Sequence, residues 1–258
     1  MYHLKMLFLL LLSSSAWAAS HAPLLGNVKP GTITIVGETH RRIESTQFFE
    51  GLVYEALQQN QCLTLALEID DNQQAAIDRV MTEGGAVADI AISSIIDHPP
   101  MRQMIAHMAA LKKEFPCLQV IAIDTGISTP YDRDAWMAKK LSELPGDARV
   151  LALLGSLHTL KKVDWLVKVG KPSVAELLTN KGFRVKSYPQ DWLPETCPDT
   201  SGRLSRFVSA DKPEALSLLN DSLMSLVNAN PHQSTQGVVD GFIVWECDTP
   251  TRGNQPHS

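Results

Sequence analysis

Four short aliphatic runs recur along the chain, and each is followed by a segment with helical periodicity. The runs cover residues 33–36, 63–67, 118–123 and 150–154. Their apolar residues are nearly continuous and do not alternate with polar ones, which is typical of strands that are covered on both faces. The pattern therefore predicts the central strands of a parallel sheet.

The intervening segments favour helices that pack on this sheet. Residues 44–59 place one apolar stripe at helical spacing: Phe48, Phe49, Leu52, Val53, Ala56 and Leu57. Further helices are predicted over residues 72–81, 131–144 and from Ser173, which opens a capping box, to about Gly182. Strands that alternate with helices indicate right-handed βαβ units. We expect one α/β domain with a mostly parallel sheet flanked by helices.

The later part of the chain adds fewer predicted elements. Residues 183–188 indicate a fifth strand, a Pro-rich segment covers 189–198, a Leu-rich helix runs from Asp211 to about Val227, and residues 241–246 indicate a closing strand. Before the first strand, residues 20–30 form a Pro- and Gly-containing lead-in. None of these segments suggests a repeat.

An additional stretch, residues 84–115, separates the second and third strands, and it predicts a helical insertion that covers a site. It carries His98, His107 and three methionines, and imidazole with soft sulfur suits copper or haem. The methionines Met101, Met104 and Met108 also fall at helical spacing, as an ordinary core stripe does. We favour the core interpretation.

The two ends of the chain differ from its middle. Residues 1–18 combine Lys5, an apolar core and Ala16-Trp17-Ala18, the pattern of a cleaved signal peptide. The apolar core is too short to span a bilayer, and no cysteine nearby could accept a lipid. We expect a mature domain over residues 19–250, a disordered tail over 251–258, and a periplasmic or secreted protein. The net charge of −5 gives no sign of nucleic-acid binding.

Export to an oxidising compartment makes disulfides the expected state of the four cysteines, which allow three pairings. Cys62 and Cys117 each precede an aliphatic run directly, so parallel strands would place them at the same end of the sheet. We therefore predict a Cys62–Cys117 bond and, with it, a Cys197–Cys247 bond.

Each aliphatic run becomes polar where its strand should end. The first run is followed by Gly37-Glu38-Thr39-His40 and the fourth by Gly155-Ser156-Leu157-His158, while Glu68 follows the second run and Asp124 ends the third. Parallel sheets bind ligands beyond the carboxyl ends of their strands. Two imidazoles and two carboxylates meeting there could perform acid–base chemistry or hold a divalent metal. The alternative is that these residues only cap solvated strand ends.

The order of these motifs resembles that of the erythromycin esterase, ChaN-like and Tiki/TraB superfamily. The similar motifs are Gly37-Glu38-Thr39-His40, Leu67-Glu68 with Gln73 and Gln74, Arg133-Asp134 with Met137-Ala138, Gly155-Ser156-Leu157-His158, and Asp240-Gly241-Phe242-Ile243-Val244. The resemblance spans most of the predicted mature chain. In size the chain is most similar to the ChaN-like branch.

The resemblance implies a different chemistry for each branch. The Tiki branch implies a metal-dependent peptidase with a divalent metal on His40, Glu68 and His158. The esterase branch implies a lactone hydrolase in which His40 acts as the base, with Glu38 or Glu68 in support. The ChaN-like branch implies haem binding in iron uptake.

From these alternatives we expect an exported hydrolase that cleaves an ester, lactone or peptide bond in a small-molecule or peptide substrate. The catalytic candidates are Glu38, His40, Glu68 and His158, and the supporting candidates are Asp124, Arg133 and Asp134. Arg133 and Asp134 fit a surface helix start equally well. The sequence has no Gly-x-Ser-x-Gly elbow, phosphate loop or dinucleotide fingerprint, so a serine nucleophile is disfavoured. The alternative function is haem binding without turnover.

Overall fold

The computed structural model describes residues 18–59, 61–126, 129–167, 170–198 and 202–248. Its main sheet has five strands in the order β3-β2-β4-β1-β5, and every neighbouring pair is parallel. The strands are β1 (Thr32–Glu38), β2 (Thr64–Asp70), β3 (Gln119–Asp124), β4 (Arg149–Gly155) and β5 (Arg184–Tyr188). The predicted α/β fold, with a mostly parallel sheet flanked by helices, is confirmed.

Helices cover both faces of this sheet, which explains the continuous aliphatic runs. They are α1 (Ala18–Leu25), α2 (Ile43–Gln58), α3 (Gln74–Thr82), α4 (Pro99–Glu114), α5 (Arg133–Ser142) and α6 (Val174–Asn180). On one face Leu65 and Leu151 belong to a buried cluster with Phe48 of α2. On the other face Ile35 belongs to a cluster with Met137 of α5. Alternate residues of one strand thus enter different cores.

The closing strand lies outside the main sheet. Strands β6 (Gln190–Leu193), β7 (Arg203–Ser209) and β8 (Gly241–Cys247) form a second sheet in which β8 lies centrally, parallel to β6 and antiparallel to β7. Neither β6 nor β7 was predicted. Strand β6 lies in the Pro-rich segment, and most β7 residues are polar, so neither shows an aliphatic run. Trp192 and Trp245 stack with their ring centroids 6.4 Å apart and help to anchor this sheet.

Several predicted helix boundaries shift in the structure. The predicted 72–81 helix begins with a 3-10 turn at Asp71–Gln73, and the 131–144 helix contracts to α5. The Leu-rich helix consists of α7 (Pro213–Leu218) followed by a π-helical stretch, Leu219–Met224. The Pro- and Gly-containing lead-in over residues 20–30 includes most of α1, which was not predicted. Intrinsic preferences locate helix ends poorly, since tertiary packing decides them.

The methionines between β2 and β3 belong to the hydrophobic core. Met101, Met104 and Met108 are fully or almost fully buried on α4 among other apolar side chains. His107 is on the exposed side of the same helix, where its Nδ1 lies 2.7 Å from a carboxylate oxygen of Glu50. The core interpretation of the three methionines is confirmed.

The predicted signal peptide and C-terminal tail lie almost wholly outside the described residues. The description begins at Ala18 with α1, which packs against α2 through an edge-on contact of His21 with Phe48. Among the helices that the structure describes, none is long and apolar enough to cross a membrane.

Both predicted disulfides are present. Cys62 is bonded to Cys117 and Cys197 to Cys247. The first bond joins the segments that lead into β2 and β3, which are neighbours in the sheet. The second joins β8 to the segment after β6 and so ties together two strands of the second sheet.

We predict that replacing Cys62 and Cys117 with alanine lowers the free energy of unfolding by about 3 kcal/mol, because the bond restrains the unfolded chain across a long loop. The bond closes a sequence separation of 55 residues. Urea unfolding followed by circular dichroism measures the effect. The Cys197→Ala/Cys247→Ala variant, which opens a separation of 50 residues, serves as a comparison of similar loop length. A midpoint unchanged from that of the wild type would contradict the prediction.

Candidate active site

The two Gly-x-x-His quartets, residues 37–40 and 155–158, lie side by side. They do so because β1 and β4 are neighbouring parallel strands with Glu38 and Gly155 in register. Both glycines are required by close packing. A Cβ added to Gly37 would lie 2.9 Å from the backbone of Ser156 and of Pro189. A Cβ added to Gly155 would lie 3.1 Å from Cε1 of His40 and 3.5 Å from Cδ2 of His158. The two imidazoles therefore lie above the same glycine, as the sequence predicted.

His40 forms a pair with Glu38, which is buried at the end of β1. The Nδ1 of His40 donates a hydrogen bond of 2.9 Å to Oε1 of Glu38. This bond raises the pKa of His40 above its ordinary value, although burial opposes the rise. The next residue, Arg41, has a φ of +67°, an uncommon conformation for a side chain with Cβ. The side chain of His40 remains 35 % exposed, so its ring is accessible from solvent.

Glu68 is buried at the end of β2 and is surrounded by donors. Its Oε1 accepts a hydrogen bond of 2.8 Å from Arg133, and its Oε2 accepts one of 2.8 Å from the backbone N–H of Gly155. The Nε2 of His158 lies 3.5 Å from Oε1. Burial alone would raise the pKa of Glu68, but His158, the Gly155 N–H and Arg133 together lower it to about 2. Glu68 is therefore a permanent anion.

His158 lies between two carboxylates. Its Nδ1 donates a hydrogen bond of 2.7 Å to Asp134, and its Nε2 faces Glu68. Burial alone would lower the pKa of His158, but Asp134 and Glu68 raise it to about 10. Asp134 also accepts a hydrogen bond from the backbone N–H of Val174 at the start of α6, which fixes its position. His158 is therefore an imidazolium at neutral pH.

Arg133 links the second and third strands through their terminal carboxylates. Besides Glu68, its guanidinium binds Asp124 through Nε at 3.0 Å and through Nη2 at 2.6 Å. Asp124 is buried at the end of β3, so the arginine neutralises a second desolvated charge. Arg133 and Asp134 do begin a helix, α5, and they also reach the edge of the sheet: Arg133 binds Glu68 and Asp124, and Asp134 binds His158 in the turn after β4.

A cavity of about 630 Å³, the strand-end cavity, opens beside Glu68 and Asp124. Its other lining residues include Asp70, Asn72, Ser93 and Thr125. Residues 91–94 of the predicted insertion form part of its wall. The Ser93 hydroxyl oxygen is buried and has no hydrogen-bond partner among the described residues.

The remaining motif glutamines are structural. Gln74 accepts a hydrogen bond from the backbone N–H of Ala122 and donates one to the carbonyl of Val120, so it pairs with β3. Gln73 accepts a hydrogen bond from the N–H of Ala91 and holds the cavity wall.

The backbone N–H of Gly155, which donates to Glu68, could not be predicted from the sequence, because every residue except proline carries such a group.

The donor atoms do not fit a divalent metal in their present arrangement. Among the described residues, no group of three or more His, Cys, Asp or Glu side chains could hold a metal ion. Both oxygens of Glu68 are engaged by Arg133 and Gly155, and the Nδ1 of His158 is engaged by Asp134. The predicted metal site on His40, Glu68 and His158 remains a prediction that would require these bonds to break.

Comparisons with known proteins support the fold. No protein-family profile and no curated sequence matches the chain. A mutant of the erythromycin esterase EreC in its open conformation superposes with a TM-score of 0.56 at 8% identity, covering 86% of this chain and 92% of that one. A protein from Bacillus cereus gives 0.56 at 10% identity, covering 92% and 95%. ChaN of Campylobacter jejuni, a structure with cofacially bound haem, gives 0.48 at 13% identity, covering 66% and 85%.

These identities are too low to transfer an activity. The chain shares its fold with the erythromycin esterase EreC and with the Bacillus cereus protein, so the resemblance inferred from the motifs is confirmed at the level of fold. Fold alone does not assign chemistry, which depends on the residues of the site.

We predict that the His158 ion pairs make stability depend on pH. Because the folded-state pKa of His158 is raised, its contribution is fully present below about 6.5 and is lost as the pH rises through about 10. Because that of Glu68 is lowered, its contribution is present above about 4.5 and is lost as the pH falls through about 2. The free energy of unfolding of the wild type should therefore fall between pH 6.5 and 10, and the fall should be smaller in His158→Asn.

Urea unfolding at a series of pH values measures this difference. The control is His107→Asn, which removes an exposed histidine that also contacts one carboxylate. Its curve should run parallel to that of the wild type. If the His158→Asn curve also ran parallel between pH 6.5 and 10, His158 would not be the imidazolium that we describe.

Proposed function

We propose that this protein is an exported hydrolase that uses His40 to activate water against an ester, lactone or peptide carbonyl, without a metal. The observation that supports this most directly is the pairing of two histidines of opposite character above Gly155. His40 is accessible and has one carboxylate partner, whereas His158 is enclosed by two. When water attacks a carbonyl, a base can remove a proton from the water and a fixed cation can stabilise the charge that develops on the oxygen.

His40 serves as the general base. Because its Nδ1–H is held by Glu38, the neutral ring carries its free electron pair on Nε2. Nε2 takes a proton from water while the water oxygen attacks the carbonyl carbon. When the tetrahedral intermediate collapses, the same nitrogen returns the proton to the leaving oxygen or nitrogen. The proton is conserved, and His40 is neutral again at the end of the cycle.

His158 stabilises the negative charge that develops on the carbonyl oxygen. Its Nε2 lies 3.5 Å from Glu68, longer than a normal hydrogen bond, so this N–H can donate to a stronger acceptor. Its charge persists at neutral pH because Asp134 and Glu68 both favour the imidazolium. A preorganised cation of this kind contributes more in a water-poor site than it would in solution.

The strand-end cavity suggests the charge of the substrate. Its lining includes the carboxylates of Glu68, Asp70 and Asp124 together with hydroxyl and amide groups, and no cationic side chain among the described residues lines it. Arg133 balances much of the charge on Glu68 and Asp124, so Asp70 leaves the lining weakly acidic. We infer an uncharged or cationic small molecule or peptide.

Export is part of this proposal. The predicted signal peptide would direct the chain to the periplasm or outside the cell. Two disulfides fit an oxidising compartment, where such bonds persist.

We predict that His40→Ala lowers kcat by about 10²- to 10⁴-fold on a cleavable ester, lactone or peptide, as loss of a general base does. In the wild type, activity should rise with pH through a pKa above 6.5, because only the unprotonated His40 acts as a base. Glu38→Gln removes the negative charge that helps to raise this pKa, so the acid limb should move to lower pH while kcat falls. Initial rates of a panel of activated esters, lactones and peptides between pH 5 and 9 measure both effects.

The matched control is Glu50→Gln, which breaks another histidine–carboxylate pair, with His107, away from the quartets. It should leave the rate and the pH profile unchanged. Full activity of His40→Ala on a substrate that the wild type cleaves would exclude the proposed mechanism.

We further expect hydrolysis to survive removal of divalent metals, because Arg133 and Gly155 already satisfy Glu68. Rates after dialysis against a chelator, together with metal analysis and an absorption spectrum of the same sample, test this expectation. Loss of activity that one divalent metal restores would favour the metal-dependent alternative. A Soret band that disappears in His40→Ala, in a protein without turnover, would favour the haem-binding alternative.

A further inference from the structure

A second cavity, the basic cavity, lies at the other end of β1 from His40. It has a volume of about 530 Å³, within the range of small-molecule sites. Its lining includes Thr32 and Arg184, the first residues of β1 and β5, which are in register. None of the residues of the two quartets lines it. It is therefore distinct from the candidate active site.

Cations dominate this cavity. Lys29, Lys161, Arg184 and Lys186 line it, and the described residues that line it include no carboxylate. The chain as a whole carries a net charge of −5, so this concentration of positive charge runs against its average. Like charges this close repel one another and are unfavourable unless an anion compensates them.

Two of the four cations, Lys161 and Lys186, are held in place by Asp240, which does not line the cavity. Asp240 accepts from Lys161 at 2.6 Å and from Lys186 at 3.0 Å, and it also accepts the backbone N–H of Ser187. The side chain of Lys161 is only 11% exposed, so its ammonium group has little freedom to move. One carboxylate shared by two ammonium groups positions them without neutralising both.

The other two cations have no carboxylate partner among the described residues. The Nη2 of Arg184 donates 2.8 Å to the carbonyl of Pro30, which leaves other N–H groups of the guanidinium free. A Cβ added to Gly31, whose φ is +68°, would lie 2.7 Å from that nitrogen, so glycine allows the guanidinium to lie over the backbone. Lys29 is exposed, and its ammonium group has no described partner. Four cations against Asp240 leave three positive charges.

We propose that the basic cavity binds a multiply charged anion that bears phosphate groups. A guanidinium donates to two phosphate oxygens at once, and ammonium groups supply further charge-assisted hydrogen bonds. The half-buried ring of Phe183 adds an apolar wall, which leaves room for a carbon skeleton attached to the phosphate. This proposal does not depend on the hydrolytic function, since none of its residues belongs to the quartets.

Isothermal titration with sodium tripolyphosphate and with inorganic phosphate tests the proposal on the mature protein. We expect tripolyphosphate to bind more tightly than phosphate and to weaken steeply with added salt, because several charges act together. The variant Lys29→Ala/Arg184→Ala should bind tripolyphosphate at least tenfold more weakly. Both side chains are on the surface and lack an ion-pair partner among the described residues, so the variant should retain the wild-type circular dichroism spectrum.

A matched control removes one lysine and one arginine elsewhere. Arg79→Ala/Lys113→Ala alters exposed residues of α3 and α4, which do not line the cavity, and it should bind like the wild type. Equal binding by the wild type and the cavity variant, or equal losses in both variants, would overturn the proposal.

Vesicles distinguish the source of the phosphate. Co-sedimentation with phosphatidylglycerol vesicles, lost in the cavity variant and absent with phosphatidylcholine alone, would assign the anion to a lipid headgroup. Tripolyphosphate binding without vesicle binding would assign it to a free solute. Absence of binding to both probes would reject the site.

Discussion

The buried carboxylate of Glu68 is the group on which the candidate site depends. An ionised carboxylate at the end of a covered strand is very unfavourable unless it is paired and hydrogen-bonded. Its partners come from different parts of the chain: Arg133 from α5, the backbone of Gly155 from β4, and His158 from the turn that follows. Satisfying one charge thus fixes the relative positions of a helix and two strands.

Glu68 also helps to hold the side chains of Arg133 and His158 in place. A guanidinium between Glu68 and Asp124 balances two desolvated anions, so loss of Arg133 would leave both uncompensated. His158 faces the same oxygen of Glu68 that Arg133 binds, and its other ring nitrogen is held by Asp134. The site is a chain of alternating charges in which each member restrains the next.

Much of this arrangement was predictable from sequence because parallel strands impose it. Aliphatic runs covered on both faces specify the strands, and parallel strands bring their carboxyl ends to one edge, where His40 and His158 meet. Glu68 directly follows the second aliphatic run, and in the structure its carboxylate lies at this edge, bound by Arg133 and Gly155. The Cys62–Cys117 bond followed from the same parallel geometry.

The remaining features could not be read in this way, since they depend on tertiary contacts. Nothing in the residues around Arg133 distinguishes an arginine that binds Glu68 from one on a solvated helix, because the pairing spans 65 positions. Strand β6 lies in a Pro-rich segment and β7 is largely polar, so neither carries the aliphatic pattern that marked the other strands. Their pairing partner β8 was visible, but its sheet was not.

The two histidines show why equal motifs do not imply equal chemistry. His40 has Glu38 as its hydrogen-bonded carboxylate and remains open to solvent, so its proton can exchange near neutral pH. His158 lies between Asp134 and Glu68, and these two anions overcome burial and keep it charged. The carboxylates around each ring, rather than the quartets themselves, therefore give the two histidines different surroundings and different pKa shifts.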